Sequence, residues 1–95
     1  MAKVGQVVAR RMTAGQPNHV RHIAYLQWQS SQEGLVWSSR TVMVNKVNAS
    51  QRGTFFTEGG GQTAALYVVT EGNTSWVETE PDKTKKDNLL YLPEE

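Results

Sequence analysis

The sequence contains no cysteine. That excludes disulfides, thiolate nucleophiles and cysteine-based zinc sites, and it fits a reducing cytoplasm. Long apolar runs are also missing. No stretch approaches the roughly 20 apolar residues that a membrane-spanning helix needs. The opening residues, Met-Ala-Lys-Val-Gly-Gln-Val-Val, are too polar and too brief for a secretory leader, so a cytoplasmic protein is expected. The net charge is only +1, which by itself implies no partner.

Chemistry-bearing clusters are scarce as well. The two histidines, His19 and His22, lie three apart. On a strand that spacing sends them to opposite faces, and Glu33 is the one acid in residues 1–52, so no metal site is expected. Gly59, Gly60 and Gly61 lack the Lys and Ser/Thr of a phosphate loop and precede a strand pattern, which reads as a hairpin loop. Glu78, Glu80 and Asp82 cluster in sequence, but nothing apolar surrounds them to separate their pKa values. They read as a solvated edge that discourages strand pairing. No nucleophile, base and acid can be assembled, so neither an enzyme nor a bound cofactor is expected.

What is present is one small folding unit. Ninety-five residues, 38% of them hydrophobic, make a single domain over 1–95 with a modest core. Its charge is divided. Residues 1–52 hold seven basic residues against one acid, and residues 53–95 hold three lysines against eight acids. The halves either pack together and offset one another, or leave a basic surface for an anionic partner or a head-to-tail self-contact.

Residues 4–11 are Val-rich and form a first strand candidate; residues 13–18 are a loop. From His19 the pattern alternates, with Val20, His22, Ala24, Leu26 and Trp28 on one face and Arg21, Ile23, Tyr25 and Gln27 on the other. That period argues for a half-buried strand. Residues 29–34 read as a loop. Residues 41–48 are evenly balanced between helix and strand by propensity, because Val42, Val44 and Val47 are β-branched. Ser38 or Ser39 as N-cap and Gly53 as a stop favour a helix of about three turns that buries Met43, Val44 and Val47. Residues 54–57, 63–70 and 75–79 are strands, the last two joined by a tight turn at Glu71-Gly72-Asn73-Thr74. The order β-β-α-β-β-β predicts an α+β domain: a mostly antiparallel sheet of four to five strands with one helix on one face.

The ending is the most distinctive stretch. Pro81-Asp82 signals a turn, Lys83, Lys85 and Lys86 keep the following segment in water, and Asp87-Asn88 can cap a short helical turn. Leu89 and Leu92 can share one face, and Pro93 stops regular structure. Residues 80–95 thus read as an arm that packs its leucines back on the body.

Asp87, Asn88, Leu89, Leu92, Pro93 and Glu94, preceded by the Thr-x-Pro-Asp turn at residues 79–82, resemble the ending of a family of small bacterial proteins of unknown function. The similarity extends to Trp37-Ser38-Ser39-Arg40, Phe55-Phe56 and Val68-Val69. Where that family commonly has Gly after the turn Asp, this chain has Lys83. The resemblance implies a fold, with a helix opening near Arg40, and no mechanism.

The expected function is therefore binding without catalysis: an accessory module that contacts a protein partner or a second copy of itself. The alternative is nucleic-acid binding by the basic half. Arg10, Arg11, Arg21, Arg40 and Lys46 would neutralise phosphates, and Trp28, with Tyr25 and Trp37, would stack bases.

Overall fold

The computed structural model describes residues 2–17, 19–59, 62–80 and 88–95. Among these residues it is an α+β fold with two three-stranded antiparallel sheets and one α-helix. The first sheet has the order β1 (Val7–Met12), β2 (Ile23–Gln29), β3 (Leu35–Ser39). Helix α1 (Arg40–Ala49) follows directly. The second sheet has the order β4 (Phe56–Gly59), β5 (Gln62–Glu71), β6 (Thr74–Thr79). The expected single sheet is thus two sheets, and a strand at residues 35–39 stands where none was expected. Trp37, Ser38 and Ser39 pair with β2 before the helix begins. The family resemblance placed a helix opening within this segment; Ser39 serves both elements.

The local chemistry of the helix is as its sequence suggests. The Ser39 hydroxyl accepts from the Val42 amide at 3.3 Å, satisfying one of the orphan donors of the first turn. The helix ends at Ala49, ahead of Gly53, with the Ser50 hydroxyl donating to the Lys46 carbonyl at 2.7 Å. Met43 and Val44 are buried, and Val47 packs half-buried against them.

Two register shifts decide which side chains point inward. On β1, Val7 pairs with Trp28 but Ala9 pairs with Gln27, so Val8 is an extra residue. An extra residue inverts the alternation beyond it. Arg10 therefore shares the inner face with Val7, and Arg11 points outward. On β2, Ala24 is the extra residue between Tyr25 and Ile23. Ile23 then joins Leu26 in the core, against the alternation expected from the sequence. That alternation also fails at its start, because Val20–His22 form a 3-10 turn with Val20 buried.

The sheets meet at Gly5-Gln6. The Gly5 amide donates to the Gln29 carbonyl at 2.9 Å, and its own carbonyl accepts from the Phe56 amide at 3.2 Å. A single parallel bridge, Gln6 to Phe56, joins β1's leading end to β4. One core serves both sheets: Val7, Ile23 and Leu26 from the first, Leu66, Trp76 and Val77 from the second, Met43 from the helix.

The last described segment, residues 88–95, joins this core. A second 3-10 turn, Asn88–Tyr91, carries Leu89, fully buried, and Leu90. Leu92 packs half-buried beside them. Residues beyond it line up along β1. The Arg10 amide donates to the Pro93 carbonyl and the Glu95 amide donates to the Arg10 carbonyl, both at 2.9 Å. The expectations for the Pro81-Asp82 turn, the three lysines, Asp87 and Gly60-Gly61 fall outside the described residues. Among the described residues, no helix is long and apolar enough to cross a membrane.

Candidate interaction surface

The charged halves are in contact at several points. Lys3 pairs with Glu58 at 3.1 Å, Arg52 with Glu80, and Arg10 with Glu94 at 3.8 Å. Glu78 and Glu80 are both engaged within the chain instead of standing as a solvated edge. Glu80 holds Arg52, and Glu78 accepts from the Trp76 indole N–H at 2.8 Å and from the Tyr67 hydroxyl at 3.4 Å. Asp82 lies outside the described residues.

The candidate basic and aromatic residues separate into distinct places. Arg10 is turned inward, only 7% exposed, and its Nε donates to the Leu92 carbonyl at 3.1 Å. It anchors the chain's end and is not open to a phosphate. Trp28 packs half-buried against the core; its indole N–H donates to Ser38 at 3.0 Å and its ring meets Phe55 edge-on at 5.1 Å. Lys46 reaches over that same ring at 5.4 Å. Both sit on the helix side of the first sheet.

The opposite face of that sheet is different. Register places Leu35 beside Gln29, Trp37 beside Gln27 and Ser39 beside Tyr25. Arg11 lies beside Tyr25 on the other flank. Its guanidinium sits 4.6 Å from the Trp37 ring centre and 5.9 Å from that of Tyr25. Its Nε also donates to the Glu95 main-chain oxygen at 3.1 Å. Leu35 is 49% exposed and Tyr25 41% exposed. None of Tyr25, Leu35 and Trp37 belongs to the core. Sequence reasoning named Tyr25 and Trp37 but missed Leu35, because its strand went unrecognised. The five-residue span from Leu35 to two serines, broken by Trp37, was the available signal.

At one end of this face lies a cationic corner. The Arg40 Nη1 donates to the Arg21 carbonyl at 2.7 Å, which draws the start of α1 onto the first 3-10 turn. Such a turn has three residues per turn, so His19 and His22 stack on one side instead of diverging. Their rings lie 6.4 Å apart, edge to face. His19 Nδ1 accepts from the Arg21 amide at 3.1 Å and is the N-cap of the turn. Among the described residues, no group of three or more His, Asp or Glu side chains could hold a metal ion.

The pKa of His22 lies below the ordinary value. Burial disfavours its charged form, and the charges of Arg21, His19 and Arg40 add to the effect. Below the ordinary pKa of about 6.5 the unfolded chain takes up a proton that folded His22 resists. Stability should therefore fall as pH drops from about 6.5 toward the folded-state pKa, and level off below it. His22→Gln should flatten this part of the profile. Urea midpoints measured between neutral pH and about pH 5 check it; equal slopes in both proteins would count against the assignment to His22.

Two shallow clefts are seen among the described residues. One, of about 260 Å³, is lined by Arg10, Met12, Gly15 and Glu94 among others; the second, of about 240 Å³, lies between Val47, Phe55 and Tyr67. Neither brings a histidine beside a hydroxyl nucleophile. Comparison of this chain with known protein families, with curated proteins and with solved structures gives no match.

Proposed function

We propose that this protein is a small non-catalytic binding module that engages a protein partner through the outer face of the β1-β2-β3 sheet. The observation that carries the reading is the placement of Tyr25, Leu35 and Trp37 on one sheet face, outside the core. Tyr25 and Leu35 are exposed and Trp37 is half-buried beside them; apolar side chains grouped in this way mark interaction surfaces. Aromatic anchors of this kind dominate binding energy at interfaces.

A second reading, nucleic-acid binding, draws support from charge. Arg21, Arg40 and Lys46 form no side-chain ion pair with a carboxylate among the described residues. Against it stand Arg10, which is buried, and Arg11, which already covers the Trp37 ring on which a base would stack.

A photo-crosslinking residue placed at position 35, compared with one at position 73 on the β5–β6 turn, tests the protein reading. Discrete protein adducts should form from position 35 and not from position 73, and should survive nuclease treatment. Tyr25→Ala should weaken the captured partner's binding by roughly 30-fold, as expected for an aromatic anchor. The same substitution should leave stability within about 0.5 kcal/mol, since this side chain is at the surface. Adducts abolished by nuclease would transfer support to the nucleic-acid reading; equal adducts from both positions would overturn the assigned face.

A further inference from the structure

The chemistry of the partner can be taken one step further. β3 is the last strand of its sheet, and among the described residues its second edge pairs with no strand. Such an edge offers a row of main-chain donors and acceptors that an extended segment can complete. The strand is five residues long and contains no proline, so nothing in it blocks pairing. Its outward side chains are Leu35, Trp37 and Ser39, and the chain then passes straight into Arg40. A segment laid along β3 would thus run from an apolar stretch into the cationic corner.

That corner gathers Arg21, Arg40, His19 and His22 without a carboxylate partner among the described residues. Arg11 adds a further positive group on the adjoining face. Like charges held together in this way repel, and an incoming anionic group relieves the repulsion.

We propose that the partner presents an acidic, extended segment that adds to the free edge of β3 and places its carboxylates against Arg21 and Arg40. This rests on the protein-binding reading above. Charge complementarity selects the occupant. Nucleic acid fits less well, because Arg11 occupies the Trp37 ring and Leu35 offers a base neither stacking nor a hydrogen bond. In a second copy of this chain three of the acids, Glu58, Glu80 and Glu94, are already engaged within the chain, which leaves fewer of them for this corner.

The test uses the full chain, isotopically labelled, with three probes: a blocked ten-residue peptide alternating glutamate and valine, its lysine-for-glutamate counterpart, and an oligothymidylate. The glutamate peptide should shift the amide signals of residues 35–39 and 20–22 and leave those of the β5–β6 turn in place. Its affinity should fall as salt rises. The double variant Arg21→Gln, Arg40→Gln should weaken it at least tenfold, while Arg52→Gln should not. Binding should also raise the titration midpoint of the His22 ring, because a nearby carboxylate favours imidazolium. Equal binding of the two peptides, or indifference to the double variant, would overturn the acidic segment while position-35 adducts kept the docking face. Tighter binding of the oligothymidylate than of the glutamate peptide would overturn both. An unchanged spectrum of the free double variant shows that a lost affinity is not lost folding.

Discussion

Leu89→Ala should destabilise the protein by about 2–5 kcal/mol, the range for truncating a fully buried leucine. Leu89 has no exposed surface and lies within the core shared by both sheets. The alanine variant loses the transfer energy of the removed carbons and leaves a cavity that close-packed neighbours fill only in part. A domain of this size has a net stability of about 5–15 kcal/mol, so the loss is a large fraction of the whole. The melting temperature should fall by on the order of 10–25 °C. Leu92→Ala should cost only about 1 kcal/mol, because its side chain is half-buried. Its main-chain oxygen, which accepts from Arg10, survives the substitution. Thermal melts of the two variants separate these roles. A near-normal melt for Leu89→Ala would show that residues 88–95 do not hold the core, whatever their place in it.

Gly5→Ala should be comparably severe, at about 3–4 kcal/mol, for a different reason. Gly5 has φ +87°, in the region that side chains avoid. A β-carbon there would overlap the Thr54 carbonyl oxygen, which belongs to the backbone and has no rotamer to move into. The same residue hydrogen-bonds both sheets, through its amide to Gln29 and through its carbonyl to Phe56. Moving it to relieve the clash would pull on the junction between them. Gly72→Ala is the matched comparison. Gly72 has φ +60° but open space around it, so only the backbone cost of about 1–2 kcal/mol applies. Chemical denaturation of both variants reads the difference, and equal losses would mean that the close approach at Thr54 carries no weight.

Several elements were legible in the sequence because their causes are local. The β5–β6 hairpin follows from a tight turn at Gly72-Asn73 between two alternating segments, and the observed strands, Gln62–Glu71 and Thr74–Thr79, run one residue beyond the expected 63–70 at each end and one residue before the expected 75–79. The helix follows from the cap at Ser39, which overrides three β-branched valines that argued equally for a strand. β3 was missed although it pairs with the preceding strand across the loop at residues 30–34, because its own residues carry no clear alternation. Seen alone, Trp37-Ser38-Ser39 reads as the approach to a helix. The candidate surface was half visible for the same reason: Tyr25 and Trp37 stood out by type, while Leu35 acquires meaning only from the strand that presents it.

The fates of neighbouring arginines mark the boundary more sharply. Arg10 and Arg11 are indistinguishable in sequence, yet one is buried against Leu92 and Glu94 and the other lies on Trp37 at the surface. The extra residue at Val8 sets which arginine faces inward, and a bulge of that kind depends on strands pairing across residues 7–28. The sequence by itself determined the α+β class, the second hairpin and the division of charge, and it favoured the helix without fixing which serine caps it. Only the tertiary structure decided that the strands divide into two sheets joined at Gly5, and which arginine is buried. Those outcomes rest on pairing and packing between distant segments, and neither propensity nor periodicity encodes such pairing.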